Sequence, residues 1–348
     1  MKLNDVRIPL KKVLSFGILP SPLKKFYYRM RGYQIGKGVS FGPGSVLDIS
    51  GECKIGDGTS FGAGSIVVGE TARFGKRSEI RALTLMLVPH IDIGDDVVIS
   101  ETAIIRAQQP FPDSRLIVGD RAHIFPYTII DPSRPLTIGD ESAVGFGTYI
   151  FTHGAYKDKL AGYPVTYGEV KIGKAVWLPC RVFVMPGVEL GDDVVVGSCS
   201  VVTKSFPAGS FVLGEPAKLI KTREEFITEY TPEQRMDIMS GILSEFGSYV
   251  EHFGGVQIDT QPEVLVIRDG NDVMQILLHR ELPPSAEATP EKIHFVLERI
   301  DPQERVRLEE GGAAWFSHAD HCCSERLGET AIAWKEYLNR YGITFARP

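Results

Sequence analysis

The chain has 348 residues, of which 43% are apolar and 24% charged. These values fit an ordinary globular protein of two to three domains and exclude a disordered chain or a coiled coil. No apolar run approaches the roughly 18–20 residues of a membrane span, and residues 1–32 lack the uninterrupted apolar core of a secretory signal. Five cysteines without a regular framework point to a reducing, cytoplasmic compartment. Charge is segregated: residues 1–32 carry +7, residues 222–348 carry −11, and the whole chain −6. That balance does not suit nucleic acid, but the basic head could touch an anionic membrane surface or an anionic substrate.

The head reads as two short amphipathic or irregular pieces, Leu10–Leu19 and Pro22–Arg31, split by Pro20 and Pro22. From Ile35 onward an aliphatic or aromatic residue returns every sixth position, as in Ile35, Phe41, Leu47 and again in Ile172, Leu178, Val184, Leu190, Val196, Val202. Neither a helical period nor simple alternation yields that beat. A helix would also carry many interior glycines at ~1 kcal/mol each. A prism-shaped solenoid accounts for it: each hexapeptide is a short strand plus a corner, and three make an 18-residue coil. The glycine that often follows the aliphatic residue, as in Ile35-Gly36 and Ile172-Gly173, is expected to permit the tight corner. Residues 84–91, 107–116 and 151–171 break the beat and are expected to leave the prism as loops, where binding residues commonly sit.

The order Val170–Trp177, Met185-Pro186-Gly187-Val188, Val201–Pro207 and Gly214–Lys218 makes residues 33–221 resemble the hexapeptide-repeat acyltransferases with a left-handed β-helix. The nearest likeness is to the galactoside, maltose and xenobiotic acetyltransferase group. Leu19–Gly32 resembles the lead-in of hexapeptide transferases of surface-polysaccharide pathways. The resemblance implies an acetyl-CoA-dependent homotrimer with sites between neighbouring prisms and no metal requirement. It places the general base at His153, 24 positions before Trp177, and a neutral imidazole suits removal of a proton from an attacking hydroxyl or amine. It maps the CoA groove onto Trp177, Cys180, Ser198, Thr203, Lys204, Lys218 and Lys221. The Cys180 backbone N–H falls where the family directs an amide at the thioester oxygen. The family's acceptor-binding asparagine has no match. Acceptor contacts are instead assigned to His123, Tyr127 and Asp131. Asp131 has two readings: it orients His153 or contacts an acceptor, or it is a turn residue before Pro132.

Residues 222–348 read as a separate α+β domain of unknown role. A helix from Thr231 with Pro232 at its first position stops at Gly254-Gly255. Strands are expected over 263–268, 273–279, 293–300 and 305–310, and a last helix over 329–340. His318-Ala319-Asp320-His321-Cys322-Cys323 holds zinc-type side chains, but no second ligand pair stands at finger spacing, so it reads as a turn.

The organisation is therefore a cap (1–32), a mainly β left-handed helix domain (33–221) and a tail (222–348). The function it implies is direct acyl transfer, from acetyl-CoA, to a sugar hydroxyl or glycan in surface-polysaccharide assembly, in the cytoplasm, with peripheral contact at the inner face of the membrane as a further option. Two alternatives stand beside it: N-acetylation of a nucleotide-linked amino sugar, and a non-catalytic trimeric scaffold.

Overall fold

A computed structural model describes residues 16–155 and 157–346. The chain divides into two compact units, Met1–Ile227 and Thr228–Pro348. Most of the expected piece Leu10–Leu19 lies outside the described residues.

The first unit is a left-handed parallel β-helix with three faces, here A, B and C in the order the chain visits them. Face A carries the inner column Ile35, Ile55, Phe74, Ile93, Val118, Ile138, Ile172, Leu190 in parallel register. Phe41, Phe61, Ile80, Ile99, Ile124, Val144 and Leu178 do the same on face B. Leu47, Val67, Met86, Ile105, Ile130, Ile150, Val184 and Val202 do so on face C. All are buried or packed in one continuous core. Each such side chain contributes about 1.5–3 kcal/mol on burial, which is why one apolar residue per six suffices.

Three expectations need correction. First, successive face-A residues are separated by 20, 19, 19, 25, 20, 34 and 18 residues, so only the last of these coils has the 18-residue length. Second, residues 84–91 do not leave the prism, because Leu85–Leu87 and His90–Ile93 are ladder strands. The real insertions are 107–114 and 152–169, both between face C and face A. Third, the glycine after the aliphatic residue does not adopt the left-handed conformation. A Cβ on Gly36 would stand 2.7 Å from the Asp57 amide nitrogen, so glycine is required there by the close approach of the next coil. The positive φ comes two residues later, at Gly38, Arg77, Asp96 and Glu141 among others. The Asp that follows such a glycine bonds one coil to the next: Asp57, Asp95, Asp140 and Asp192 each accept a backbone N–H from the preceding coil at 2.6–3.0 Å.

Helix α1 (Ser21–Met30) covers the start of the prism. Tyr28 is buried, stacks on Tyr33 at 5.3 Å, and accepts the Leu47 N–H through its hydroxyl. Lys24 is wholly buried, and its Nζ donates to Gly42 O (2.8 Å), Ser45 O (2.9 Å) and Ser45 Oγ (3.2 Å). At the other end, strand Ala217–Lys221 folds back antiparallel on Phe211–Gly214. Thr222 and Glu225 then form a capping box for the short helix α2 (Arg223–Phe226), whose Phe226 meets Phe211 at 5.6 Å. Unit one therefore runs to Ile227.

The second unit is a six-stranded mixed sheet ordered 257–261, 264–269, 272–279, 292–296, 314–317, 322–323. Strand 292–296 is parallel to both its neighbours. Helices α3 (Pro232–Gly254) and α5 (Glu329–Leu338) share one core, where Phe246 meets Trp334 at 5.0 Å. Residues 305–310 are not a strand but belong to helix α4 (Pro302–Glu310). The alternation of Arg305–Leu308 mimics a strand, yet Asp301 caps the Gln303 N–H and Pro302 opens the helix. Residues 318–321 form a turn into the strand Cys322–Cys323, gathered by Asp320, which accepts from Ser317 Oγ at 2.8 Å and pairs with Arg299 and Arg305.

Replacing Lys24 with Met should leave the buried Ser45 carbonyl without a donor and take one from the Gly42 carbonyl, which keeps the Ser45 N–H and hydroxyl. The expected cost is about 2–3 kcal/mol, or a drop of roughly 5–10 °C in Tm for a unit this size. Lys25→Met serves as the control, and an unchanged Tm in Lys24→Met would remove this role.

Candidate active site

The corner between faces C and A carries the chemistry-bearing side chains. Asp131 ends the face-C strand Ile129–Asp131, and Phe151, its ladder partner one coil later, leads to His153. His153 Nδ1 lies 3.2 Å from Asp131 Oδ2, with the two side chains 12% and 1% exposed. Neither atom has another polar partner. The other carboxylate oxygen is fully engaged: Oδ1 accepts from Ser133 N (3.0 Å), Ser133 Oγ (2.5 Å) and Gln108 N (3.4 Å). Thr152, next to His153, donates its hydroxyl to Asp131 O at 2.7 Å. One Asp131 oxygen thus closes the turn and the other faces the imidazole.

A carboxylate at Nδ1 favours the tautomer with its proton on that nitrogen and leaves the Nε2 lone pair available. The inserted segments hold this arrangement from outside. His153-Gly154 pairs antiparallel with Thr166-Tyr167. The Tyr167 hydroxyl donates to the Gln109 side chain, and the Gln109 N–H donates to Ser133 Oγ at 2.9 Å. Phe111 meets Tyr167 edge-on at 4.9 Å, and the Arg134 guanidinium lies 4.8 Å from the centre of the Phe111 ring. A ring of contacts thus runs Asp131, Ser133, Gln109, Tyr167, His153. Ser133, Gln109 and Tyr167 were not singled out from sequence. The signals present were the broken beat at 107–116 and 151–171 and the Asp-Pro-Ser turn.

The other sequence-predicted residues fall in two groups. Thr203 and Lys204 are exposed and follow the face-C strand Val201–Val202, so they share the corner of His153 two coils further on. Trp177, 55% exposed, stands on the outside of face B. Cys180 and Ser198, both exposed, occupy the corner between faces B and C, and Cys180 O accepts from Cys199 N at 3.0 Å. Lys218 and Lys221 are exposed on the strand that edges face B. A whole prism face lies between these groups.

His123 and Tyr127 are not beside His153. Tyr127 lies at the corner between B and C, edge-on to Phe146 at 5.2 Å. His123 sits on face B, its ring stacked on Phe125 at 3.9 Å and its Nε2 2.9 Å from Ser100 Oγ. Burial, then the nearby Arg81 charge, pulls the His123 pKa down to about 4. Among the described residues no cluster of three or more His, Cys, Asp or Glu side chains is arranged to hold a metal ion.

A parallel β-helix of hexapeptides is the fold of the hexapeptide class of acyltransferases, and at one corner of this one a buried carboxylate faces a histidine. The comparisons agree. Residues 169–204 match the model of the bacterial transferase hexapeptide (six repeats). WcaF of Escherichia coli (strain K12), a protein assigned to colanic acid biosynthesis as an acetyltransferase, is 33% identical over 133 residues, 38% of this chain and 70% of WcaF. Galactoside O-acetyltransferase of the same strain is 32% identical over 96 residues, 25% of this chain and 47% of that protein. The crystal structure of a maltose O-acetyltransferase from Clostridium difficile 630 has 26% identity and a TM-score of 0.34 over 40% of this chain and 70% of that one. The chain belongs to the hexapeptide-repeat bacterial acetyltransferases.

The depressed pKa of His123 has a sign that can be checked. Above pH 6.5 the imidazole is neutral whether folded or not; as pH falls toward 4 the unfolded chain takes up the proton first. Stability is therefore lost through that window, by about 3 kcal/mol at most. His279 in the second unit, also brought down to about 4 by burial beside His294, adds the same trend there. Thermal melts of His123→Gln between pH 7 and 4.5 should show a smaller loss for the first unit than wild type. Parallel curves would contradict the assignment.

Proposed function

We propose that the protein transfers an acetyl group from acetyl-CoA directly to a sugar hydroxyl in surface-polysaccharide assembly, with His153 as general base. The observation that carries this reading is the Asp131–His153 pair, a buried carboxylate whose free oxygen has no partner but the imidazole. His153 Nε2 takes the proton of the acceptor hydroxyl as its oxygen attacks the thioester carbonyl. A new C–O bond forms, and the oxyanion is met by the Cys180 backbone N–H. Collapse breaks the C–S bond, and the imidazolium returns the proton to the departing CoA thiolate. The Cys180 thiol takes no part. Trp177 and Ser198 flank the pantetheine arm, and Thr203, Lys204, Lys218 and Lys221 meet the CoA phosphates. The names of WcaF and galactoside O-acetyltransferase support a sugar acceptor. His123 and Tyr127 are proposed to contact the acceptor from a neighbouring subunit.

The same reading requires a homotrimer. The outer column of face C is Ile66, Leu85, Ile104, Ile129, Tyr149, Phe183, Val201, apolar throughout and in register. On face A the matching column is Lys54, Arg73, Asp92, Ile117, Thr137, Lys171, Glu189. Tyr149 and Phe183 stack at 4.7 Å. A continuous apolar strip of this kind supports a second copy lying against it. That copy would bring its face-B group to the corner of His153.

His153→Ala should lower kcat by roughly 10²–10⁴-fold while acetyl-CoA still binds by calorimetry. CoA release measured with sugar and amino-sugar acceptors tests the base and separates O- from N-transfer. Near-normal kcat at saturation would overturn the role of His153. Phe183→Glu should give monomers by light scattering and lose transfer together with trimerisation; an active monomer would rule out the shared site.

A further inference from the structure

We propose that the outward side of helix α1 is a docking surface for an anionic membrane. The helix turns its polarity inside out. Lys24 and Tyr28 face the prism and are buried, whereas Leu23, Phe26 and Met30 point away and are 52%, 65% and 74% exposed. At 100° per residue, Phe26, Met30, Leu23 and Tyr27 form one unbroken sector. Lys25 and Arg29 lie along one edge of that sector, and Ile18, 80% exposed, stands just ahead of the helix. Covering the end of the prism does not explain these side chains, since Lys24 and Tyr28 make the capping hydrogen bonds.

Charge selects the occupant. Residues 1–32 carry +7 in a chain of −6, which leaves −13 on the rest. An anionic surface therefore attracts this end of the chain and repels the remainder, so approach and orientation come from the same field. An apolar sector for the headgroup boundary with cations at its margin supplies the two signals that reversible interfacial binding needs. Among the described residues no helix is long and apolar enough to cross a membrane, so attachment through α1 is peripheral. This inference does not depend on the acyl-transfer reading.

Co-sedimentation of the full chain with vesicles tests it. Binding to phosphatidylcholine vesicles containing phosphatidylglycerol should exceed binding to pure phosphatidylcholine by roughly tenfold and fall with added salt. The double variant Phe26→Ser, Met30→Ser should lose most of that binding. Lys25→Glu with Arg29→Glu should abolish the preference for anionic lipid. Both variants should keep wild-type Tm, elution volume and transfer to a soluble acceptor, because no proposed catalytic group is touched. Equal binding to the two vesicle types, or undiminished binding by the serine variant, would overturn the proposal. So would a changed elution volume in that variant, which would show that the sector is buried between copies of the chain.

Discussion

Coil-on-coil contact governs everything else in the first unit. Parallel strands stacked at the ~4.8 Å ladder spacing leave no room for a Cβ where one corner passes over the next, as at Gly36 and Gly94. The same spacing shuts water out of the prism, so the strand columns are apolar and the buried Ser and Thr at the corners, such as Thr59, Ser78 and Ser142, spend their hydroxyls on backbone carbonyls. Both demands repeat at each coil, so the chain can add residues only where the prism turns. The two large insertions, 107–114 and 152–169, obey this: both leave at the corner between faces C and A. One unexpanded coil, containing Asp131, lies between them.

That coil explains how a buried carboxylate comes to face a histidine. Asp131 is anchored by its own ladder strand, and Ser133 and Gln108 occupy Oδ1. The rigid strand therefore sets where Oδ2 points. The imidazole is brought to it by the insertion that starts one coil later. Tyr167 and Gln109 join the two insertions above and below, so the inserted segments restrain one another where they meet. Precise placement thus comes from strands and its support from loops, the order that a reaction needing a proton donor and acceptor within hydrogen-bond reach demands.

The prism was legible from sequence because its rule is local and repeated: one apolar residue in six needs no knowledge of distant contacts. His153 was singled out by the family resemblance, which sets a histidine 24 positions before the Trp177 motif, and the structure places its Nδ1 3.2 Å from Asp131. Coil length was not legible, since two extra residues at a corner leave the inner column intact and the beat barely disturbed. The corner glycines were noticed for the wrong reason. Steric contact with the next coil and positive φ both favour glycine, and only coordinates tell them apart; Arg77 and Tyr127 show that the true left-handed positions accept side chains. Ser133, Gln109 and Tyr167 stayed hidden because their link runs between segments up to 58 residues apart. Helix α4 was misread because a short alternation outweighed the Asp301-Pro302 start signal.

A solenoid also explains why the proposed site is divided. Residues on one coil can approach residues above or below, but the prism core holds the three corners apart. No insertion among the described residues carries Trp177, Cys180 or Ser198 around face C to His153. In a globular enzyme a change of loop path could gather such residues; here the ladder forbids it without breaking several parallel strand pairs. The economical route to a closed groove is a second prism beside the first, and the uninterrupted apolar outer column of face C offers the surface for it. On this view the feature that makes the fold simple to encode, its translational repeat, is also what makes a single copy of the site incomplete.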